Sequence, residues 1–209
     1  IMRNRGAMSG YALSHRLRIV LPGLVLVASI LPVAPTPAAA ADNEISIENA
    51  LPGTPSSVWD ISGAGDATLQ GFTTDISVDQ GGTVEFKVGN PDGGTEQDPV
   101  APADFRIEIY RLGYYSGDGA RLIDTIPATA TVESDPPACV FDAVTSLVDC
   151  GNWPVAATWT VPTDATSGVY FGRLIREDTG GDSHVVFVVR DDDGASEVLF
   201  QTTYATFQP

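Results

Sequence analysis

Asp104-Phe-Arg-Ile-Glu-Ile-Tyr-Arg-Leu-Gly-Tyr-Tyr-Ser-Gly-Asp-Gly-Ala-Arg121 is the stretch on which the fold turns. It begins as a strand. Phe105, Ile107 and Ile109 alternate with Arg106, Glu108 and Tyr110, the two-residue period of a pleated strand with one buried face. It ends in a turn, because in Ser116-Gly-Asp-Gly119 the two glycines accept a positive φ and Asp118 tolerates one. Between strand and turn lies Tyr110-Arg-Leu-Gly-Tyr-Tyr115, with three phenols and a guanidinium within six residues. Such a cluster either displays rings to a ligand or packs the end of a sandwich with its hydroxyls bonded to a loop. The second is the commoner use of tyrosine.

Alternation recurs on both sides. Phe72-Thr-Thr-Asp-Ile-Ser-Val78 and Thr83-Val-Glu-Phe-Lys-Val88 flank the turn-forming Asp79-Gln-Gly-Gly82, which predicts a β-hairpin. Val169-Tyr-Phe-Gly-Arg-Leu-Ile-Arg176 and His184-Val-Val-Phe-Val-Val189 flank a second Gly- and Asp-rich turn and predict another. The first strand of that pair is apolar on both faces at its start. Thr158-Trp-Thr-Val161 predicts a strand, and Glu197-Val-Leu-Phe-Gln-Thr202 begins a last one. Residues 90–102 and 133–137 lack periodicity and are loops. No window holds apolar residues at helical spacing over three turns. Eight or nine short strands with Gly, Pro and Asp turns between them predict an all-β fold, an antiparallel immunoglobulin- or fibronectin-like β-sandwich.

The front of the chain reads differently. Arg3, Arg5, Arg16 and Arg18 make a basic region, residues 19–31 are apolar, and small residues follow up to Ala-x-Ala sites ending at Ala40 or Ala41. Residues 1–41 therefore read as a secretory signal peptide, and the protein is expected to be secreted. The apolar run falls short of the ~20 residues of a stable membrane span. Residues 42–67 form a lead-in that Trp59 and Ile61 hold on the domain, with Ile45-Ser-Ile47 as a short edge strand. Residues 68–209 form the sandwich.

Four of the 11 basic residues lie in residues 1–41 and none of the 27 acidic ones do, so 7 basic residues face 27 acidic ones in the remainder. That charge repels nucleic acid and anionic membrane surfaces. Cys139 and Cys150 are the only two cysteines. After export they are expected to form a structural disulfide, contributing ~3 kcal/mol through the loop it closes.

Few residues suggest chemistry. His184 is the only histidine after residue 41 and opens an apolar strand beside a turn, the place of a structural histidine. Asp92, Glu96 and Asp98 lie in a loop without the spacing of a calcium-binding loop, and Asp191-Asp-Asp193 reads as a solvated corner. Neither a pair of histidines nor a cysteine cluster marks a metal site.

Several runs carry a family resemblance when taken together. They are Gln70-Gly-Phe-Thr-Thr-Asp-Ile-Ser-Val78, Ile109-Tyr-Arg-Leu-Gly-Tyr-Tyr115 with Gly119-Ala-Arg121, Cys150-Gly-Asn-Trp153, Ser167-Gly-Val-Tyr170, Ser183-His184 leading to Phe187-Val-Val-Arg-Asp-Asp192, and Leu199-Phe-Gln-Thr202 with Thr206-Phe-Gln208. In this order they resemble the N-terminal part of secreted proteins of the N,N-dimethylformamidase large (beta) subunit-like family. The resemblance covers most of residues 48–209. It implies a β-sandwich in front of an amidase-type site that lies downstream, where a mononuclear iron is held by tyrosines and a glutamate. Relatives continue, past the position of Pro209, into an aromatic-Asn-x-Gly-Gly stretch and the catalytic domain, so the chain is expected to be truncated. No iron ligand is carried onto any residue here, and no cofactor is expected in this chain.

The expected role is thus a non-catalytic accessory front domain whose partner is the downstream catalytic domain of the same polypeptide. The alternative is a stand-alone carbohydrate- or cell-wall-binding module whose surface is Tyr110, Arg111, Tyr114, Tyr115 and Trp153. An enzyme complete in itself ranks last, with one histidine and no metal cluster.

Overall fold

The computed structural model describes residues 43–90, 94–95, 98–99, 102–131, 136–194, 196 and 198–202. Residues 1–41, read above as a signal peptide, and the acids Asp92 and Glu96 lie outside them. Two short helices come first, α1 (Glu44–Asn49) and α2 (Ser56–Trp59). The strands are β1 (Gln70–Thr73), β2 (Ser77–Asp79), β3 (Thr83–Gly89), β4 (Gly94–Thr95), β5 (Asp98–Pro99), β6 (Asp104–Leu112), β7 (Ala120–Thr131), β8 (Val140–Asp142), β9 (Leu147–Asp149), β10 (Ala157–Thr160), β11 (Gly168–Arg176) and β12 (Asp182–Arg190).

Two sheets face each other. One has the order β1-β3-β10, the other β2-β12-β11-β6-β7. The alternation in β6 is used as predicted: Phe105, Ile107 and Ile109 are buried between the sheets, where they meet Phe86, Trp159, Tyr170, Leu174 and Phe187. The predicted second hairpin also forms, with Gly168 opposite Val189 and Ile175 opposite Asp182. Gly172 lies opposite Ile109 and leaves room for the facing sheet, since a Cβ there would come within 2.9 Å of Phe86 and Ile107. The fold is a β-sandwich, and among the described strands every pair is antiparallel except β2 with β12.

That exception corrects the first hairpin. The predicted strand from Phe72 to Val78 does not run as one strand. β1 pairs with β3, Gln70 opposite Gly89 and Thr73 opposite Phe86, and then the chain crosses to the other sheet, where Val78 lies opposite Val189. The crossing covers an open edge on each sheet and puts both Leu69 and Val78 into the one core.

Residues 45–47 are helical, not an edge strand. The Asn43 side chain caps α1 by accepting from Ser46 N–H at 2.8 Å, and Glu44 sits in the first turn. Ile45 and Ile47 are exposed, so their alternation serves no buried face. Residues 198–202 form no strand, against expectation, and Val198, Leu199 and Phe200 lie in solvent.

The turn after β6 also differs in detail. Gly117 and Gly119 take φ of 104° and 84°, as expected, but Asp118 stays helical at −69°. Tyr115 and Ser116 adopt the positive values instead, 39° and 59°. Tyr115 accepts that conformation because its hydroxyl is held at two points beneath the turn. Cys139 and Cys150 form the predicted disulfide, at the base of the small β8–β9 hairpin.

Candidate functional site

The lead-in lies across the outer face of the five-stranded sheet. Thr54 bridges to Ala120, its N–H donating to the Ala120 carbonyl at 2.8 Å. Trp59 Nε1 donates to the Thr54 carbonyl at 2.8 Å, and the indole packs on Phe171, ring centroids 5.7 Å apart. Phe171 stacks on Tyr110 at 5.1 Å. Gly119 makes the approach possible, because a Cβ there would stand 3.1 Å from the Trp59 ring. These residues form a second apolar cluster outside the sandwich core. It explains why β11 begins apolar on both faces: Tyr170 points into the core, and Phe171 is roofed by the lead-in.

His184 belongs to this cluster. Its ring lies 4.4 Å from Phe171, and Nε2 meets the Trp59 carbonyl at 2.7 Å. A carbonyl only accepts, so Nε2 carries the proton. Burial lowers the imidazole's pKa, which favours the neutral ring. Further along the same face runs a charged ladder. Glu108 accepts from Tyr110 OH at 2.8 Å and pairs with Arg173 at 3.3 Å, and Arg173 pairs with Asp182 at 2.5 Å. Burial first, and then the Glu108 carboxylate, push the Tyr110 hydroxyl up to about 12.

At the end of the sandwich, α1 and the loops 163–166 and 191–194 enclose a groove of about 610 Å³. Glu44, Glu48, Asp164, Thr166, Asp191 and Asp193 line it. Glu48 also belongs to a hydrogen-bonded network that is largely buried. Glu48, 8% exposed, accepts from Tyr115 OH at 2.8 Å and pairs with Arg121 at 2.7 Å. Arg111 Nη1 donates to Tyr115 OH at 3.0 Å, Arg111 Nη2 to the Ser167 carbonyl at 2.9 Å, and Tyr170 OH to the Thr166 carbonyl at 2.7 Å. Burial raises the Tyr115 and Tyr170 hydroxyls above their ordinary range, so both stay protonated near neutrality. The network fixes α1 to the sheet. It meets the groove through Glu48 and Thr166. Among the described residues no three of His, Cys, Asp and Glu converge as a metal site.

The structure separates the five residues read as a binding surface. Tyr110, Arg111, Tyr115 and Trp153 are buried, and Tyr114 is 72% exposed. Tyr110 and Arg111 project to opposite sides of β6. Trp153 is remote from both, donating through Nε1 to the Pro137 carbonyl at 3.0 Å and packing on Phe72. The five do not share one exposed face. The sequence reading of Trp59 as an anchor of the lead-in is met by its packing on Phe171, but that Trp59 and Glu48 are the cover of the tyrosine cluster was missed. The available signal was the excess of apolar residues on the outer face of β11.

No curated protein matches the chain. A family model described as "N,N-dimethylformamidase beta subunit-like, C-terminal" matches residues 106–209. The match begins within β6, so the motif at residues 70–78 lies outside it, and the model's description is C-terminal where the sequence reading placed these residues in an N-terminal part. Among solved structures, a cellulose-active LPMO in complex with copper is 18% identical, with a TM-score of 0.29. That likeness covers 56% of this chain and 53% of the other, about half its length.

Proposed function

We infer that the sandwich, whose residues 106–209 match the family model described as N,N-dimethylformamidase beta subunit-like, C-terminal, is the accessory, non-catalytic front domain of an exported protein of this kind, packed on the catalytic part of the same polypeptide. The observation that carries the reading is the apolar run Val198-Leu199-Phe200, whose side chains are 82%, 93% and 80% exposed. A run of this kind left in water marks a surface that another body covers. Burying each such side chain contributes ~1.5–3 kcal/mol, enough together to hold a domain contact. The disulfide supports export, since such a bridge persists in oxidising compartments. No helix among the described residues is long and apolar enough to cross a membrane.

Co-expression of this chain with the sequence encoded beyond Pro209 tests the reading. Co-purification is expected, lost in Leu199→Ser with Phe200→Ser, and amide hydrolysis is expected in the continuation alone. Amide hydrolysis by purified residues 42–209 would overturn it. Carbohydrate binding keeps one supporting observation, the exposed Tyr114 ring. Retention on insoluble polysaccharide that disappears in Tyr114→Ala, with an unchanged melting curve, would favour that reading instead.

A further inference from the structure

The Cys139–Cys150 bridge divides a firmly tied base from an untied hairpin. At the base, Asn152 Nδ2 donates to the Ala138 carbonyl at 2.8 Å, and Lys87 Nζ to the Gly151 carbonyl at 2.6 Å. Trp153 is held by the Pro137 carbonyl and by Phe72, and Gly89 brings the backbone of β3 close beneath it: a Cβ there would stand 2.9 Å from the indole and 3.1 Å from Pro136. Beyond the bridge the picture changes. Every residue from 140 to 149 is exposed, and β8 and β9 pair only with each other among the described strands. The carboxylates of Asp142 and Asp149 are engaged locally, accepting from the N–H groups of Val144, Thr145 and Gly151. Val140, Phe141, Val144, Leu147 and Val148 stand in solvent. Two three-residue strands with no buried face do not hold themselves together in water.

We propose that the Cys139–Cys150 bridge is a redox switch confined to this hairpin: its reduction melts residues 140–149 and disperses their apolar surface, while the sandwich beneath stays folded. The reductant is a dithiol. Its thiolate attacks the sulfur of Cys139 or Cys150, both half-buried residues, the S–S bond breaks, and a mixed disulfide forms. The second thiol of the reagent resolves it. Two electrons and two protons pass to the protein, leaving Cys139 and Cys150 as thiols and the reagent as a cyclic disulfide. The base contacts at Trp153, Asn152 and Lys87 do not involve either sulfur, so they survive the reduction.

The test is amide hydrogen exchange on the full chain, oxidised and after dithiothreitol, with free thiols counted in parallel. Two thiols are expected to titrate under native conditions. Exchange across residues 140–149 should then rise about tenfold or more, while that of β3, β11 and β12 stays within about twofold, and reoxidation should restore the first pattern. Cys139→Ser with Cys150→Ser should reproduce the reduced pattern without reductant. Three results would overturn the proposal: a hairpin still protected once two thiols are counted, thiols that appear only as β11 loses protection, or an oxidised hairpin that already exchanges at the unstructured rate.

Discussion

Replacing Glu48 with Ala removes one acceptor oxygen shared by three donors. Oε1 takes the Tyr115 hydroxyl at 2.8 Å, Arg121 Nε at 2.8 Å and Arg121 Nη2 at 2.7 Å. A hydrogen bond to a charged group contributes ~1.5–3 kcal/mol, but the three share one oxygen and do not add. The Arg121 side chain is 28% exposed, so water replaces much of its half of the interaction. The Tyr115 hydroxyl is buried, keeps Arg111 as its donor and is left without an acceptor, a cost of ~1–3 kcal/mol. A loss of ~2–4 kcal/mol follows for Glu48→Ala, a fall of roughly 5–10 °C in Tm for a chain of this length. Detachment of α1 caps the loss, because once the helix leaves, Tyr115 reaches water. Glu48→Gln keeps an acceptor without the charge and should cost ~1–2 kcal/mol. Urea unfolding followed by the fluorescence of Trp59, Trp153 and Trp159 measures both. A Glu48→Ala protein within ~0.5 kcal/mol of the parent would refute the claim that this network holds the lead-in on the sheet.

Two further outcomes come from the core and from the phenols. Gly172→Ala places a methyl group 2.9 Å from both Phe86 and Ile107 and should destabilise the sandwich by ~1–3 kcal/mol in the same urea assay; a neutral result would mean that the two sheets separate more easily than their packing indicates. Tyr110, raised to about 12, keeps its proton where an unfolded phenol, ionising near pH ~10, has lost it. The unfolded chain then binds fewer protons, so the stability contributed by Tyr110 is complete below pH ~10 and is lost as pH rises through about 12. Tyr115 and Tyr170 act in the same direction, so Tyr110→Phe should make the alkaline fall shallower without abolishing it. An unchanged slope in Tyr110→Phe, with phenolate absorbance as the monitor, would rule out this role.

Much of the fold can be read from local pattern, because a strand with one buried face must alternate. Phe105, Ile107 and Ile109 announce the inner face of β6, and the hairpin of β11 and β12 is as plain. Cys139 and Cys150 are close in sequence and meet across a short hairpin. The same rule misleads where alternation has another cause. Ile45 and Ile47 alternate on a helix set by its Asn43 cap, and Phe72, Thr74, Ile76 and Val78 alternate continuously although the chain changes sheets between β1 and β2. The tyrosine cluster is the clearest divergence at the candidate site. Its residue types suit both ligand display and internal packing; packing, the commoner use of tyrosine, is what Tyr110 and Tyr115 do, while Tyr114 stays exposed.

What the sequence determined by itself was the alternation of β6, β11 and β12, the side of β6 that faces inward, and the disulfide. Each follows from residue type and near-neighbour spacing, which act over a few bonds. Tertiary structure alone decided that Tyr110 and Tyr115 are interior and Tyr114 is not. Their cover, Trp59 and Glu48, comes from a distant part of the chain, and no periodicity within the Tyr110–Tyr115 stretch reports which remote segment will lie over it.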